Sequence, residues 1–199
     1  MRWLAVFVFS LACAFGLVHW AQRRPLAHPV QGAAAPLEPE QTAPQKAPFQ
    51  IGKYHITPLA HFDIRARVMS RHDYSFDKES ELSPIDLALA WGRMSDPAVY
   101  GQLAISQGNR FYYWHYDHQP PIPNDEIISS SSNMHLIPAD ASVKKRIEAV
   151  RPGEIVHFEG ELIEANEASG WHWRSSLSRT DTGAGACELV WVQGFQIES

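Results

Sequence analysis

Arg151-Pro152-Gly153-Glu154-Ile155-Val156-His157-Phe158-Glu159-Gly160-Glu161-Leu162 decides how this chain folds. Val156, Phe158, Gly160 and Leu162 alternate with His157, Glu159 and Glu161, the period-two pattern of a half-buried strand. A glycine inside such a run marks a bend or bulge, because it removes a side chain from the packed face. Just upstream, Asp140-Ala141-Ser142 is a helix start. Val143, Ile147 and Val150 fall on one face of that helix, with Lys144, Lys145, Arg146 and Glu148 on the others. Arg151 and then Pro152-Gly153 end it.

Outward from there the pattern stays mostly strand. His61–Ser70 alternates Phe62, Ile64, Ala66 and Val68 with charged residues. Leu103–Gln107 and Arg110–Tyr116 flank Gly108-Asn109, a hairpin signal. Pro120-Pro121-Ile122-Pro123 turns the chain away from that sheet. Trp171, Trp173, Ser175 and Leu177 alternate with His172, Arg174, Ser176 and Ser178. Cys187, Leu189, Trp191, Gln193, Phe195 and Ile197 share a face. Ser83-Pro84-Ile85-Asp86 reads as a second helix start, with Leu87 and Ala90 following to Trp91-Gly92. Ser95-Asp96-Pro97 can open one further turn. A helix delivering into a glycine-interrupted strand resembles the later part of an OB-type barrel. An SH3-like barrel or a mixed α+β sheet carries a similar pattern. The expected class is mainly β with two helices, an OB-like or related small β-barrel.

The chain has 199 residues, 45% hydrophobic, 20% charged and 11% aromatic, with a formal charge of -5. That composition excludes wholesale disorder, collagen repeats and coiled coil. Two cysteines cannot staple a small secreted scaffold. Trp3–Ala21 is uncharged, and its nineteen residues make a helix about 28 Å long, the hydrocarbon thickness of a bilayer. Arg2 precedes it; Arg23 and Arg24 follow. Ala12-Cys13-Ala14 is a weak cleavage site and Ser10-Leu11-Ala12-Cys13 a poor lipidation box, so an uncleaved anchor over 1–21 is the expectation. Residues 22–50 hold six Pro, six Ala and five Gln. Such a segment reads as an extended tether that carries a globular domain, 51–199, away from the membrane. The charges flanking the anchor barely set its orientation. The tether favours a single-pass protein of the inner membrane, with its C-terminal domain in the periplasm.

Three blocks carry a resemblance: Leu82–Gly92, Ser132–Ala139 and Gly170–Glu188. They resemble an uncharacterised family of membrane-anchored bacterial proteins and cover about a quarter of the domain. The resemblance implies membrane attachment and brings no catalytic residues with it.

The domain carries 13 basic and 20 acidic residues, a net -7, which gives no steering toward nucleic acid. The densest polar block, Arg174 through Glu188, leads from a strand into a Gly-punctuated turn. Its amides and arginines can hold an anion, or the arginines can pair with Glu159, Glu161 or Glu188 on neighbouring strands. Asn133 and His135 are expected on a loop pinned by Leu136-Ile137-Pro138. Asn133, His135, Arg174, Ser176, Arg179 and Asp181 are therefore the candidate ligand-binding set, for a carboxylate or phosphate. The alternative is an envelope hydrolase or transferase, using Cys187 as a thiol nucleophile with His135 and Asn133, or a site centred on the Arg174–Asp181 loop. The bland alternative is that Cys187 packs among Leu189 and Trp191. His115-Tyr116-Asp117-His118 matches no strong metal spacing, and no metal or cofactor is expected. Phe111, Tyr112, Tyr113, Trp114 and Tyr116, with Trp171 and Trp173, either fill the core or form a stacking platform. The leading expectation is a binding or assembly module for an envelope protein or anionic ligand, rather than an enzyme.

Overall fold

The structure is a computed structural model and describes residues 24–198; the apolar run expected to anchor the chain lies outside them. The protein is mainly β. Its strands are β1 (Glu40–Thr42), β2 (Phe49–Ile51), β3 (Tyr54–Asp73), β4 (Ile85–Ala90), β5 (Ala104–Gly108), β6 (Phe111–His115), β7 (Ser131–Pro138), β8 (Ile155–Glu167), β9 (His172–Arg174) and β10 (Glu188–Glu198). The helices among the described residues are α1 (Pro97–Tyr100), α2 (Asn124–Ser129) and α3 (Ala141–Ala149). No helix among them is long and apolar enough to cross a membrane.

One sheet follows the order β1-β3-β4-β7-β10-β8-β9, and β3 also pairs with β8. The pairing path β3-β4-β7-β10-β8 thus returns to β3. All of its pairs are antiparallel except β7 with β10, which run parallel. The main core lies inside this path. Phe62, Ile64, Ala66 and Val68 of β3, Val156, Phe158 and Leu162 of β8, and Val143 and Ile147 of α3 all enter it, as their alternation requires. The Asp140 carboxylate caps α3, accepting from the Ser142 and Val143 amides at 2.7 and 2.8 Å. Gly160 is needed because a Cβ there would overlap the backbone carbonyl of Trp191.

The helix expected over 83–92 is instead the strand β4. Every residue from Ile85 to Ala90 is buried. Ile85, Leu87 and Leu89 face the main core, while Ala88 and Ala90 face a further cluster beneath β5 and β6. A short apolar run buried on both sides has no period that separates strand from helix. The face expected from Cys187 to Ile197 is also broken. A register shift between Val192 and Gly194 flips β10, so Val190 and Val192 share the main core with Phe195, while Leu189 and Trp191 join a second buried cluster with Ile56 and Ile163. The strand expected through Ser178 stops at Arg174. The hairpin is present, but its turn is Asn109-Arg110, both at positive φ (51° and 67°), one residue later than Gly108-Asn109.

Residues 24–51 do not stand off from the domain. The Leu26 amide donates to Pro152 O at 2.8 Å, Gly92 N to Ala35 O at 2.9 Å, and Ala35 is fully buried. β1 and β2 pair with β3. Arg67 is buried, and its guanidinium donates to three carbonyls, of Val30, Ser95 and Gly153. The proline and alanine content that suggests an extended tether also suits an extended strap, and Arg67 supplies the donors that hold it.

Candidate functional site

Asp86 on β4 faces His135 on β7, and Ala88 faces Asn133. Their neighbours Leu87, Leu89, Met134 and Leu136 point into the main core. By strand alternation Asp86, Asn133 and His135 therefore share the outer face, where the β5–β6 hairpin covers them. The loop expected at Ser132–His135 is part of β7, and Asn133 and His135 are each only 3% exposed. The serine run and the proline cluster before it suggested a loop; parallel pairing with β10 makes it a central strand.

Asp86 organises this face. One carboxylate oxygen accepts from Arg110 Nη1 at 2.8 Å. The other accepts from Asn133 Nδ2 at 3.3 Å and lies 2.9 Å from His135 Nδ1, an ion-pair contact without hydrogen-bond alignment. Gln107 Nε2 donates to Asn133 Oδ1 at 2.7 Å, fixing the amide. Arg110 also makes a two-pronged pair with Asp77 at 2.7 and 2.8 Å, and lies 3.8 Å over the Tyr74 ring. Burial opposes the Arg110 charge, but Asp77 and Asp86 outweigh it and raise its pKa; Asp77 is lowered in turn by Arg110. These bonds compensate for the left-handed backbone of Arg110, which a long side chain adopts at a cost.

Two hollows open beside this network and share Phe111 and Cys187 in their walls. The first, about 230 Å³, is lined by Phe111, Tyr112, Trp114, Ile128 and Ala186, with Ser131, Ser132, Asn133, Asp181, Thr182 and Gly183 as its polar part. The second, about 310 Å³, gathers Arg110, His135, His172 and Arg174 around Phe111, Trp173 and Gly185. The first has an aromatic wall and no cation; the second carries the cations. The His135 ring packs 4.7 Å from that of Trp173.

Cys187 stands between the hollows, but its environment holds it as a thiol. Burial, and then the charge of Glu188, pushes its pKa up to about 12. The Sγ–H donates to Arg110 O at 3.6 Å, and Asn133 Nδ2 lies 4.0 Å from the sulfur. His135 lines the same hollow and holds its Nδ1 by Asp86, but among the described residues no hydrogen bond joins its ring to Cys187.

Glu188 forms a second buried centre, at the start of β10. Ser132 Oγ donates to its Oε2, and Arg179 Nη1 lies 2.7 Å from Oε1, again without hydrogen-bond alignment. Burial drives the Glu188 pKa up to about 7, with Arg179 pulling against it. Arg179 also lies 5.4 Å over the Phe62 ring. Ser176 Oγ donates to Asp181 Oδ2 at 2.6 Å and accepts from the Ser178 amide at 2.9 Å.

The six candidates therefore divide. Asn133 and Asp181 line the first hollow; His135 and Arg174 line the second. Arg174 also pairs with Glu164, and its side chain is half-exposed. Arg179 and Ser176 line neither hollow; they hold the 175–187 loop in place. Asp86, Asp77 and Arg110 escaped the sequence reading. The signal for Asp86 is a lone acid inside the apolar run Ile85–Ala90. Phe111, Tyr112 and Trp114 line a hollow, and Tyr112 and Trp114 also pack against the cluster beneath β5 and β6, so filling and platform are combined. Among the described residues no three His, Cys, Asp or Glu side chains are grouped to hold a metal; His115 and Asp117 are exposed. Compared with known proteins, the chain matches no family model, no curated protein and no solved structure.

Proposed function

We propose that this is a membrane-anchored, periplasm-facing binding module whose ligand is an amphipathic anion. The observation that carries the reading is the contrast between the adjoining hollows. Arg110, His135, His172 and Arg174 gather in one, and the other has an aromatic wall of Phe111, Tyr112 and Trp114 and no cation. A carboxylate or phosphate fits the first, where Arg174 offers a planar donor pair. An apolar portion fits the second, against Phe111, Tyr112 and Trp114. The ion-paired network behind them, from Asp86 to Asp77, keeps the walls rigid. The protonated thiol argues for binding over covalent chemistry.

The domain is an OB-type barrel in this reading. In support stand the returning path β3-β4-β7-β10-β8, the parallel β7–β10 pair, α3 between β7 and β8, and Gly160 where β8 crosses close to β10. The membrane and periplasmic parts rest on the uncharged run Trp3–Ala21 and its flanking arginines.

The test is a thermal-shift and calorimetric screen of the full chain in detergent. Decanoate and decyl phosphate are compared with acetate, inorganic phosphate and decanol. The amphipathic anions should bind at least tenfold tighter than either half alone, and Arg174→Ala or Phe111→Ala should weaken them. Equal binding of all five probes, or none, overturns the proposal.

A further inference from the structure

We propose that the domain rests directly on the bilayer, with α3 and the turn after it against anionic phospholipid headgroups. The proposal depends on reading Trp3–Ala21 as the membrane span.

The first argument is where the chain is pinned. The Leu26 amide donates to Pro152 O at 2.8 Å, and Arg151 Nε donates to Arg24 O at 3.0 Å. Leu26 also lies against Gly153, close enough to meet a Cβ placed there. Only residues 22–25 separate the apolar run from Leu26. Five residue steps of about 3.5 Å reach at most about 17 Å. The turn after α3 is therefore within headgroup distance of the end of the span. The strap is held again further on, at Val30 by Arg67 and at Ala35 by Ser95 and Gly92, so no slack is left to lift the domain away.

The second argument is charge. Of the basic residues at 25–198, only Lys46, Lys145, Arg146, Arg151 and the buried Arg67 have no carboxylate partner among the described residues. The others are paired, from Lys53 with Glu81 to Arg179 with Glu188. Lys145, Arg146 and Arg151 lie together on α3 and the turn to which the strap is pinned, while Lys46 stands alone between β1 and β2. Lys145 and Arg146 are exposed. The acids nearby are engaged: Asp140 caps α3, Glu148 faces Lys144 at 3.9 Å, and Glu154 accepts from the Arg151 amide at 2.8 Å. Arg71 adds a cation behind them, tied to Asp73 and to the Glu148 and Val150 carbonyls. Lysine and arginine close to an anionic leaflet are attracted to it within a screening length. With the span fixing the domain beside the lipid, a few such charges suffice, because contact is then an intramolecular event.

The test uses the full chain in vesicles of phosphatidylcholine, with or without about one-third phosphatidylglycerol. A photo-crosslinking residue replaces exposed Ala149 on α3, or Leu177 in the 175–187 loop. That loop lies by Glu188 at the start of β10, which runs parallel to β7, whereas α3 follows the far end of β7. At Ala149 the lipid adduct should exceed that at Leu177 at least fivefold on anionic vesicles. Adding K145E and R146E together should cut it at least threefold there, with the melting temperature nearly unchanged. A chain that fails to float with either vesicle overturns the span and this proposal together. A chain that floats but cross-links no more at Ala149 than at Leu177 keeps the span and overturns the proposal. An adduct indifferent to the charge reversals overturns it as well.

Discussion

Arg179 Nη1 lies 2.7 Å from Oε1 of Glu188, so a loop that walls the apolar hollow is tied to a carboxylate buried at the edge of the main core. Burial of Glu188, which Arg179 only partly offsets, makes the protein's stability depend on pH. Folded Glu188 keeps its proton up to about 7, whereas a glutamate in the unfolded chain ionises near 4.5. Between those values the folded state binds the extra proton, so this contribution falls as pH rises through the window and levels off above it. At about 1.4 kcal/mol per pH unit, the loss approaches about 3 kcal/mol. Urea midpoints from pH 4 to 9 should show the difference between the parent chain and Glu188→Gln changing across that window. A constant difference is the outcome that sinks it.

Asp86→Ala removes a fully buried carboxylate from Arg110, Asn133 and His135 at once. Arg110 keeps Asp77, so the expected loss is near the lower end for a broken buried pair, about 3 kcal/mol. Asp86→Asn should cost less, because it leaves a hydrogen-bonding oxygen in place. Equilibrium denaturation of both variants checks the order.

Two glycines of the ring should respond differently to alanine. At Gly160 the added Cβ meets the backbone of Trp191, which cannot move aside without opening the β8–β10 ladder; about 2–3 kcal/mol is expected. At Gly194 it meets only the flexible side chain of Glu159, at 3.2 Å, and the cost should stay below about 1 kcal/mol. Equal losses would show that the close crossing at Gly160 relaxes.

A thiol pushed up to about 12 is almost wholly protonated at pH 8. In a Cys13→Ser background, iodoacetamide should modify folded Cys187 about a thousandfold more slowly than the same residue in urea. Cys187→Ser should leave ligand binding within a few-fold of the parent. Fast alkylation of the folded protein would restore the nucleophile reading.

Arg67→Met strips the strap of its buried donor to Val30 O, together with the bonds to Ser95 O and Gly153 O. Hydrogen exchange should speed up at the Leu26 and Ala35 amides by at least tenfold, while the amides of β8 stay protected. Unchanged exchange at residue 35 would place the hold on the strap elsewhere.

The sequence made β3, α3 and β8 legible because each has one buried and one wetter face, and period reports that asymmetry. It failed at β4, where both faces are buried and Pro84 imitates a helix start. It failed at β10 because one bulge reverses the face after Val192. The site was half legible. Asn133, His135, Arg174 and Asp181 drew notice as polar groups near glycines and prolines, and the fold brings them to two adjoining hollows. Asp86 and Arg110 did not, since the partner of each lies on another strand or a distant turn, and only pairing register puts them together. Arg179 was read for its charge, yet that charge is used within the protein, on Glu188.

The β3–β8 ladder joins Tyr54 to Glu167 and Arg67 to Ile155, and β10, the C-terminal strand, enters between β7 and β8. The first strand of the ring thus waits for partners roughly a hundred residues downstream. Loop-closure entropy over such separations must be overcome before the ladders repay it, which places folding in the slow, millisecond-to-second range for small domains. A chain made from its N-terminus exposes the amphipathic twenty-residue β3 until its last eleven-residue strand arrives. During that interval β3 is the segment a holdase would shield, and the arrival of β10 sets the earliest moment at which the domain can close.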